Sequence, residues 1–561
     1  MTSCRRASIH LREIPVFGHR AEFLRKVDNG TYSVYVATSR TRRAYSIDMQ
    51  KHPQTKRFLI SSLLILAGIA AAQTFEPTVP RTFDDQAMAN VEIPLAVPDA
   101  SPKQIPSKYY YGIPIRPVYK SYPVYHPSKE PAGYFEWLKK QEPYVAFDAA
   151  KLKTKEDWIR AGELVFDAPS VYGGIVPQSS DGNYLRDPGW YQQTGAPLAS
   201  DGSLPFYRYV IREKGKVEIG ALSCGMCHTR VMEDGSILKG AQGNFPFDRA
   251  FARDYQHLPG LVDVIRGAIA RRAERSLYAA PWLKADAYPG LDQLSLKEIV
   301  SIHEAIPPGV IARHGTSPLS PSKVPDLVGI LDRRYLDSTG LVRHREIGDL
   351  MRYAAMNQDT DPLAHYRDFV PADAIPFGKP PEDPAKFSSG RYSDEQLYAL
   401  ALYIYSLQPP PNPNTFDATA ARGKEIFERE GCNACHTPPL YTNNKLTPAV
   451  GFKPPADHFG RYDILPASVG TNPDNAVKTR RGTGYYKVPS LKGVWYRGPF
   501  EHNGSVATLE DWFDASRLRD DYVPTGFKGY GVKTRAVKGH EFGLKLSPEE
   551  KKALIQFLKA L

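Results

Sequence analysis

The sequence predicts a mainly α-helical protein with two tandem domains of related design, the first enlarged by β and irregular insertions. Three observations support this prediction. A Cys-x-x-Cys-His motif occurs twice, at Cys224–His228 and at Cys432–His436. A second motif recurs at a constant offset of 164 residues, and each half closes with a helix that has the same start signal. Features that repeat in the same order along a chain indicate an internal repeat.

The composition is that of a globular protein, and its positive charge lies mostly at the N-terminus. The chain has 561 residues, 42% of them hydrophobic and 24% charged, with a net charge of +11. Such a length favours several domains. Residues 1–72 hold 12 Lys and Arg against 4 Asp and Glu, which leaves 60 basic and 57 acidic residues in 73–561. We therefore expect no nucleic-acid partner, because the remaining chain is nearly neutral.

The two Cys-x-x-Cys-His motifs predict two covalently bound haem c groups. The two thiols of such a motif attach the porphyrin, and the adjacent imidazole becomes the proximal iron ligand. The predicted binding residues are Cys224, Cys227, His228, Cys432, Cys435 and His436. Two Cys-x-x-Cys pairs could also share a structural zinc ion, and one pair could form a redox disulfide. Neither alternative explains a His directly after each pair. Because each half carries a haem motif, the two tandem domains are predicted to be cytochrome c domains.

The segment 49–72 is predicted to be a signal peptide. A basic stretch from Met49 to Arg57 precedes an apolar run from Phe58 that ends in Ala70-Ala-Ala72, the pattern of a secretory signal. Residues 1–48, which include the fifth cysteine Cys4, are then interpreted as an extension upstream of the true start. We expect a periplasmic or secreted protein without a stable membrane span after cleavage. An uncleaved N-terminal anchor is the alternative.

The rest of the chain divides into three predicted parts. Residues 73–130 are rich in Pro and Tyr without periodicity, which predicts an extended arm on the surface. The first cytochrome c domain is predicted over 131–408 and the second over 415–561. In each half a Gly precedes a Phe by four residues in the opening helix, Gly162 and Phe166 in the first and Gly423 and Phe427 in the second.

An insertion separates Phe166 from the first haem motif. Alternating segments at 207–212 and 216–219 flank a Glu-Lys-Gly turn and predict a β-hairpin. A second hairpin is predicted around 232–238. The first haem is therefore expected to be surrounded by extra β or irregular structure, which forms either a pocket or simple shielding.

The remaining repeats complete the duplication. Lys323-Val-Pro-Asp-Leu-Val-Gly329 matches Lys487-Val-Pro-Ser-Leu-Lys-Gly493, and Arg333 matches Arg497, all at the offset of 164. Closing helices are predicted after Ser393 and Ser547, because a Gln or Glu follows each Ser by three residues and forms a capping box.

These motifs resemble the bacterial di-haem cytochrome c peroxidase superfamily. The resemblance rests on Gly423-x-x-x-Phe427, the second haem motif and the run from Val488 to Glu510 that includes Pro-Phe-Glu-His502-Asn-Gly. The wide spacing of the haem motifs is closest in layout to di-haem rubber-oxygenase-like cytochromes. The resemblance implies that one haem transfers electrons while peroxide or dioxygen reacts at the other. It further implies that His540 is the distal ligand of the second haem, with His502 a pocket residue beside it.

The first half lacks both of these histidines. Ser338 stands where the second half has His502, and Lys386 stands where it has His540. Tyr335 is the nearest aromatic residue to Ser338, whose position holds an aromatic residue in most di-haem peroxidases. Other potential iron ligands lie outside any motif and are interpreted as structural: His257, His303, His314, His344, Met351, Met356 and His365. Glu501 and Glu541 lie near the motifs, without an assigned role.

Two functions follow as hypotheses. The first is a haem-dependent oxidoreductase, peroxidase- or dioxygenase-like, that activates peroxide or dioxygen at haem 1 (His228) and transfers electrons through haem 2 (His436). Small redox proteins or other electron donors and acceptors would be its partners. The alternative is a di-haem electron-transfer cytochrome without enzymatic activity.

Overall fold

A computed structural model describes residues 31–38, 41–48, 75–84, 96, 106–174, 183–277, 288, 290–312, 316–358, 383, 385, 390–479 and 482–561. The predicted signal peptide and two of the potential ligand residues, His314 and His365, lie outside this part of the chain, as does Lys386. The chain divides into two compact units, Met1–Glu76 and Pro77–Leu561. In the first unit, β1 (Thr31–Thr38) and β2 (Thr41–Asp48) form an antiparallel hairpin.

The second unit is mainly helical, as predicted. Its α-helices in chain order are α1 Ser107–Gly112, α2 Tyr134–Lys139, α3 Lys155–Asp167, α4 Pro188–Thr194, α5 Cys224–Cys227, α6 Phe247–Gln256, α7 Asp263–Leu277, α8 Leu296–Glu304, α9 Ile347–Gln358, α10 Asp394–Ser406, α11 Ala418–Arg429, α12 His458–Arg461, α13 Asp474–Val477, α14 Leu509–Trp512 and α15 Pro548–Lys559. Its strands are β3 Ser121–Tyr125, β4 Val171–Tyr172, β5 Ser203–Glu213, β6 Lys216–Ala221, β7 Thr229–Val231, β8 Ile237–Lys239, β9 Val310–Ile311, β10 Ser322–Lys323, β11 Tyr335–Leu336, β12 Val342–Arg343, β13 Leu446–Pro448 and β14 Tyr485–Lys487.

Two helix pairs pack in the same way, one in each half. Helix α3 crosses α10 and helix α11 crosses α15. A Cβ added to Gly162 would lie 2.0 Å from the Ala399 carbonyl oxygen, and one added to Gly423 would lie 2.0 Å from that of Ala553. Glycine is therefore required where each pair of backbones meets.

The aromatic contacts of the two pairs also match. The rings of Phe166 and Tyr403 are 5.3 Å apart at 60°, and those of Phe427 and Phe557 are 5.3 Å apart at 63°. Both closing helices begin with the predicted capping boxes, at Ser393 and Ser547. The repeated helices are thus confirmed, whereas the division into domains at 131–408 and 415–561 stays a prediction.

The insertion before the first haem motif forms an antiparallel sheet with the strand order β3-β5-β6-β4. The first predicted hairpin is confirmed as β5 and β6, and the second as β7 and β8. The sheet and helices α6 and α8 share one hydrophobic core, which includes Met226 of the first haem motif. The insertion therefore packs directly against the motif.

The prediction of a surface arm over 73–130 is wrong for part of its length. Residues 121–125 form edge strand β3, in which Tyr122 and Val124 are buried, and Tyr110 of α1 is fully buried. The alternation of this strand is short and interrupted by Pro123, beside which its register with β5 shifts. Proline is tolerated at such an edge or bulge. Among the described residues, no helix is long and apolar enough to cross a membrane.

Candidate haem-binding sites

The two Cys-x-x-Cys-His motifs form equivalent turns. In the first, Ser223 caps α5 by accepting a hydrogen bond from the backbone N–H of Met226. In the second, Gly431 with φ 74° begins a 3₁₀ turn over Cys432–Ala434. Each turn closes with the His N–H donating to the carbonyl of the first Cys at 2.9 Å, from His228 to Cys224 and from His436 to Cys432. Both turns thus bring two thiols and an imidazole into one short segment.

Each motif His is oriented by a carbonyl from the repeated Val-Pro segment. Nδ1 of His228 lies 3.0 Å from the Pro325 oxygen, and Nδ1 of His436 lies 3.2 Å from the oxygens of Tyr441 and Pro489. Because a carbonyl only accepts, Nδ1 carries the proton and Nε2 keeps its lone pair for a metal. Burial lowers the pKa of His228 to about 4 and also lowers that of His436, which favours the neutral, metal-binding form.

His540 faces His436 across a cavity of about 280 Å³. The two ring centroids are 6.2 Å apart. Two metal–nitrogen bonds of about 2 Å each and the two half-rings account for this separation. The residues therefore fit an iron held between two imidazoles, with the cavity also lined by Cys432 and Cys435. Nδ1 of His540 is buried and has no hydrogen-bond partner among the described residues.

The backbone around His540 is held firmly in place. The fully buried Arg517 donates to the carbonyls of Val537 at 2.6 Å, Gly539 at 2.9 Å and His540 at 2.9 Å. The N–H of His540 donates to the Val469 carbonyl at 2.6 Å. These bonds hold His540 at a φ of 48°, a left-handed conformation that costs energy for a non-glycine residue. Burial lowers the pKa of His540 to about 4.

His502 lines the same cavity but is engaged elsewhere. Its Nδ1 makes a short contact with the carboxylate of Glu501, and its ring lies 5.0 Å from that of Tyr486. Although burial opposes ionisation, the neighbouring His502 lowers the pKa of Glu501 to about 2. Nε2 of His502 is buried without a partner among the described residues. His540, and not His502, therefore lies opposite His436.

The cavity next to His228 has a different lining. It measures about 130 Å³ and contains Cys224 and Cys227 together with Asp337, Ser338 and Tyr353. Among the described residues that line it, His228 is the only histidine and there is no methionine. The hydroxyl of Tyr353 donates to Oδ2 of Asp337 at 2.8 Å. Neither residue of this acid and phenol pair was predicted from the sequence.

A sequence signal for Asp337 was nevertheless available. Asp337 precedes Glu501 by the same 164 residues that relate the other repeats, and the two have φ values of 70° and 71°. Asp337 therefore lines the His228 cavity, and Glu501 lines the His436 cavity from the equivalent backbone position. Tyr353 lies on α9 and has no such marker in the sequence.

The other potential ligands that the structure describes are engaged or lie away from the cavity. His303 is fully buried and contacts Asp248 through Nδ1 at 2.8 Å and Glu274 through Nε2 at 3.0 Å. His344 contacts the Arg333 carbonyl at 2.7 Å and the Tyr405 hydroxyl at 2.6 Å. Nδ1 of His257 donates to the Arg253 carbonyl at 2.8 Å. Neither Met351 nor Met356 lines the cavity next to His228.

The zinc and disulfide alternatives find no support in the described residues. Among the described residues, Cys224, Cys227, Cys432 and Cys435 form no disulfide. No three His, Cys, Asp or Glu side chains in this part of the chain form a group that could hold a metal ion. Burial raises the pKa of the Cys432 thiol to about 11.

Curated relatives are cytochrome c peroxidases and a MauG protein. Over 167 residues the chain is 30% identical to cytochrome-c peroxidase IdrP1 of Denitromonas iodatirespirans, and over 166 residues 28% identical to that of Pseudomonas sp. strain SCT. It is 29% identical over 145 residues to methylamine utilization protein MauG of Methylorubrum extorquens. Each match covers 26% of this chain and 40%, 41% and 35% of the relative, respectively, so the chain spans less than half of their length. No family model matches the chain.

Two solved structures are similar over about half of the chain. One is hydrazine synthase of Kuenenia stuttgartiensis pressurised with xenon, with a TM-score of 0.26 and 16% identity over 52% of this chain and 87% of its own. The other is a MauG-like protein associated with microbial copper homeostasis, with a TM-score of 0.25 and 17% identity over 54% of this chain and 90% of its own. Scores this low support no conclusion about the fold.

The curated relatives confirm the resemblance to the di-haem cytochrome c peroxidase superfamily, in which the MauG-type proteins are included. They also support a haem cofactor. The closer likeness to rubber-oxygenase-like cytochromes stays a prediction.

Proposed function

We propose that this chain is a di-haem c-type cytochrome and an oxidoreductase. Haem 1, bound by Cys224, Cys227 and His228, would be the site at which peroxide or dioxygen reacts. Haem 2, bound by the second Cys-x-x-Cys-His motif, would transfer electrons to or from a small redox partner.

The difference between the two cavities carries this proposal. His540 lies opposite His436 at a distance that suits two axial ligands, whereas the described lining opposite His228 offers neither a second His nor a Met. An iron with two strong protein ligands has no free position, and such a centre is suited to electron transfer. An iron with an open face can bind a small molecule.

The chain's own residues supply a proton-handling group beside haem 1. Tyr353 and Asp337 share a hydrogen bond inside the cavity, and Ser338 donates its N–H to Asp337 Oδ1 at 2.7 Å. A carboxylate held in this way would accept a proton from a peroxide substrate in the cavity, while the phenol would fix the position of the carboxylate. The haem, when bound, supplies the redox chemistry.

We further propose that the protein works in the periplasm. The support is the signal-like segment 49–72 and the need of Cys-x-x-Cys-His motifs for haem attachment outside the cytoplasm. Peptides from residues 1–48 in exported protein would contradict the proposed processing at Ala72.

Two matched variants in the haem 2 cavity test the ligand assignment. His540→Ala should convert one low-spin haem to high spin in the ferric absorption and electron paramagnetic resonance spectra, because the iron loses an axial ligand. His502→Ala removes an imidazole from the same cavity and should leave the low-spin signal in place. The reverse pattern would make His502 the ligand and contradict the assignment.

A further inference from the structure

A cluster of four half-buried cations lines the haem 2 cavity and has few acidic partners among the described residues. Lys323, Arg333, Lys487 and Arg497 all line this cavity. They are two pairs of equivalent residues, related by the offset of 164, so each half contributes one Lys and one Arg. The fold thus brings four cations that are far apart in sequence to one place.

Asp326 is the carboxylate within contact of this cluster. Its Oδ2 lies 3.9 Å from Nη2 of Arg333 and 3.6 Å from Nε of Arg497, and it accepts a hydrogen bond from the Tyr496 hydroxyl at 3.2 Å. The equivalent residue in the second half is Ser490, so the acid occurs once where the cations occur twice. The two guanidinium groups therefore share one carboxylate.

Neither lysine forms an ion pair with an acid among the described residues, although Asp326 acts electrostatically on both. Within the described residues, the one hydrogen bond of Lys487 Nζ goes to the Tyr335 carbonyl, at 3.4 Å. Within the described part of the chain, the Lys323 ammonium has neither a hydrogen bond nor an ion pair. The other acids in the two cavities are engaged, Glu501 with His502 and Asp337 with Tyr353.

Such a cluster is costly without an anion. Both lysines are half-buried and line the cavity. Burial, followed by the charge of Arg497, lowers the pKa of Lys323 to about 8, and burial, followed by the charge of Arg333, lowers that of Lys487 to about 7. Buried charges are normally paired.

We infer that Lys323, Arg333, Lys487 and Arg497 bind carboxylates of the haem 2 propionates. The inference rests on the proposed presence of haem in this cavity, which also holds Cys432, His436 and His540. Lys323, Val324, Pro325 and Ser338 line both cavities. Lys323 therefore lies on a segment that the two cavities share.

The test measures the reduction potential of the low-spin haem in holoprotein. A Lys323→Gln/Lys487→Gln double variant should have a lower potential than the wild type, because loss of nearby positive charge favours the oxidised iron. The control is Lys445→Gln, which removes an exposed cation that acts electrostatically on Cys435. It should shift the potential less, because water screens an exposed charge. In infrared redox difference spectra, bands of ¹³C-labelled haem propionates should shift in the double variant.

An unchanged potential with unchanged propionate bands would overturn the inference. A second result would also overturn the inference. If added acetate changes the potential of the wild type but not that of the double variant, the cluster binds a diffusible anion. If the double variant yields no holoprotein, Lys323→Gln alone is measured with the same criteria. A wild-type protein without covalently bound haem would instead contradict the proposed function, which separates the two failures.

Discussion

Asp337 and Glu501 occupy equivalent positions in the two halves but have different partners. Both have a left-handed backbone, at φ 70° and 71°. Strain of this kind in a non-glycine residue persists where the surrounding structure requires it, and it is common at functional sites. The residue that follows is Ser338 in one half and His502 in the other, so Glu501 is paired with an imidazole whereas Asp337 is paired with Tyr353.

We predict that Asp337→Asn lowers peroxide turnover by about 100-fold or more, the usual range for loss of a general acid or base. Asn tolerates the left-handed backbone and keeps the size of the side chain. Both haem spectra should therefore remain those of the wild type. Steady-state kinetics with hydrogen peroxide and a reduced electron donor measure the effect.

Asp332→Asn is the control for this prediction, because Asp332 is an exposed acid five residues before Asp337 and does not line the cavity. Its turnover should equal that of the wild type. Wild-type turnover in Asp337→Asn would rule out the proton-handling role, and loss of the haem 1 spectrum would show a structural role instead.

At the residue scale, sites formed by closely spaced residues could be predicted from the sequence. Contacts between residues that are far apart in the chain could not. The haem motifs are short enough that their chemistry follows from five consecutive residues. Asp337 could have been found from its offset to Glu501. Tyr353 could not, because only the packing of α9 against the Asp337 loop brings the phenol to the cavity.

At the scale of elements, the helix pairs α3 with α10 and α11 with α15 are the frame of the molecule. Their identical glycine contacts place the backbones close enough for Phe166 to reach Tyr403 and for Phe427 to reach Phe557. Phe427 lines the haem 2 cavity, as do Leu554 and Leu558 of α15. Helix packing and cavity shape are therefore linked.

We predict that Gly423→Ala destabilises the protein by about 1–3 kcal/mol, the usual cost of overpacking. The new Cβ would meet the Ala553 carbonyl at 2.0 Å, and the backbones must separate to accept it. The free energy of unfolding, measured by urea denaturation of the holoprotein, should fall accordingly.

Gly460→Ala serves as the matched substitution in an exposed helix, where the added Cβ would have no neighbour within 4 Å. It should be neutral or stabilise slightly, since Ala favours helices over Gly. Equal stability of Gly423→Ala and the wild type would contradict the prediction, because the two helices would then separate without a loss of unfolding free energy.

Elements with clear periodicity were predicted well, and elements with mixed signals were not. The β5 and β6 hairpin follows from alternation around a turn, and the closing helices follow from their capping boxes. Strand β3 was missed because Pro123 and the dense tyrosines hide its alternation, and its strand character depends on pairing with β5, more than 70 residues away.

At the scale of the whole second unit, the duplicated sequence produces two cavities with unequal chemistry. The repeat predicts equivalent positions, but it does not say which of them converge. Lys323 and Arg333 lie in the haem 2 cavity beside Lys487 and Arg497. Only the folded chain shows this convergence, because it depends on how the two halves meet.

The central claim is the division of labour between an open haem 1 and a closed haem 2. Electron paramagnetic resonance of the ferric wild-type holoprotein, recorded before and after addition of cyanide, tests it most directly. We predict one low-spin signal that cyanide leaves unchanged and one high-spin signal that cyanide converts to low spin. Two low-spin signals, neither altered by cyanide, would contradict the claim and favour a di-haem electron carrier.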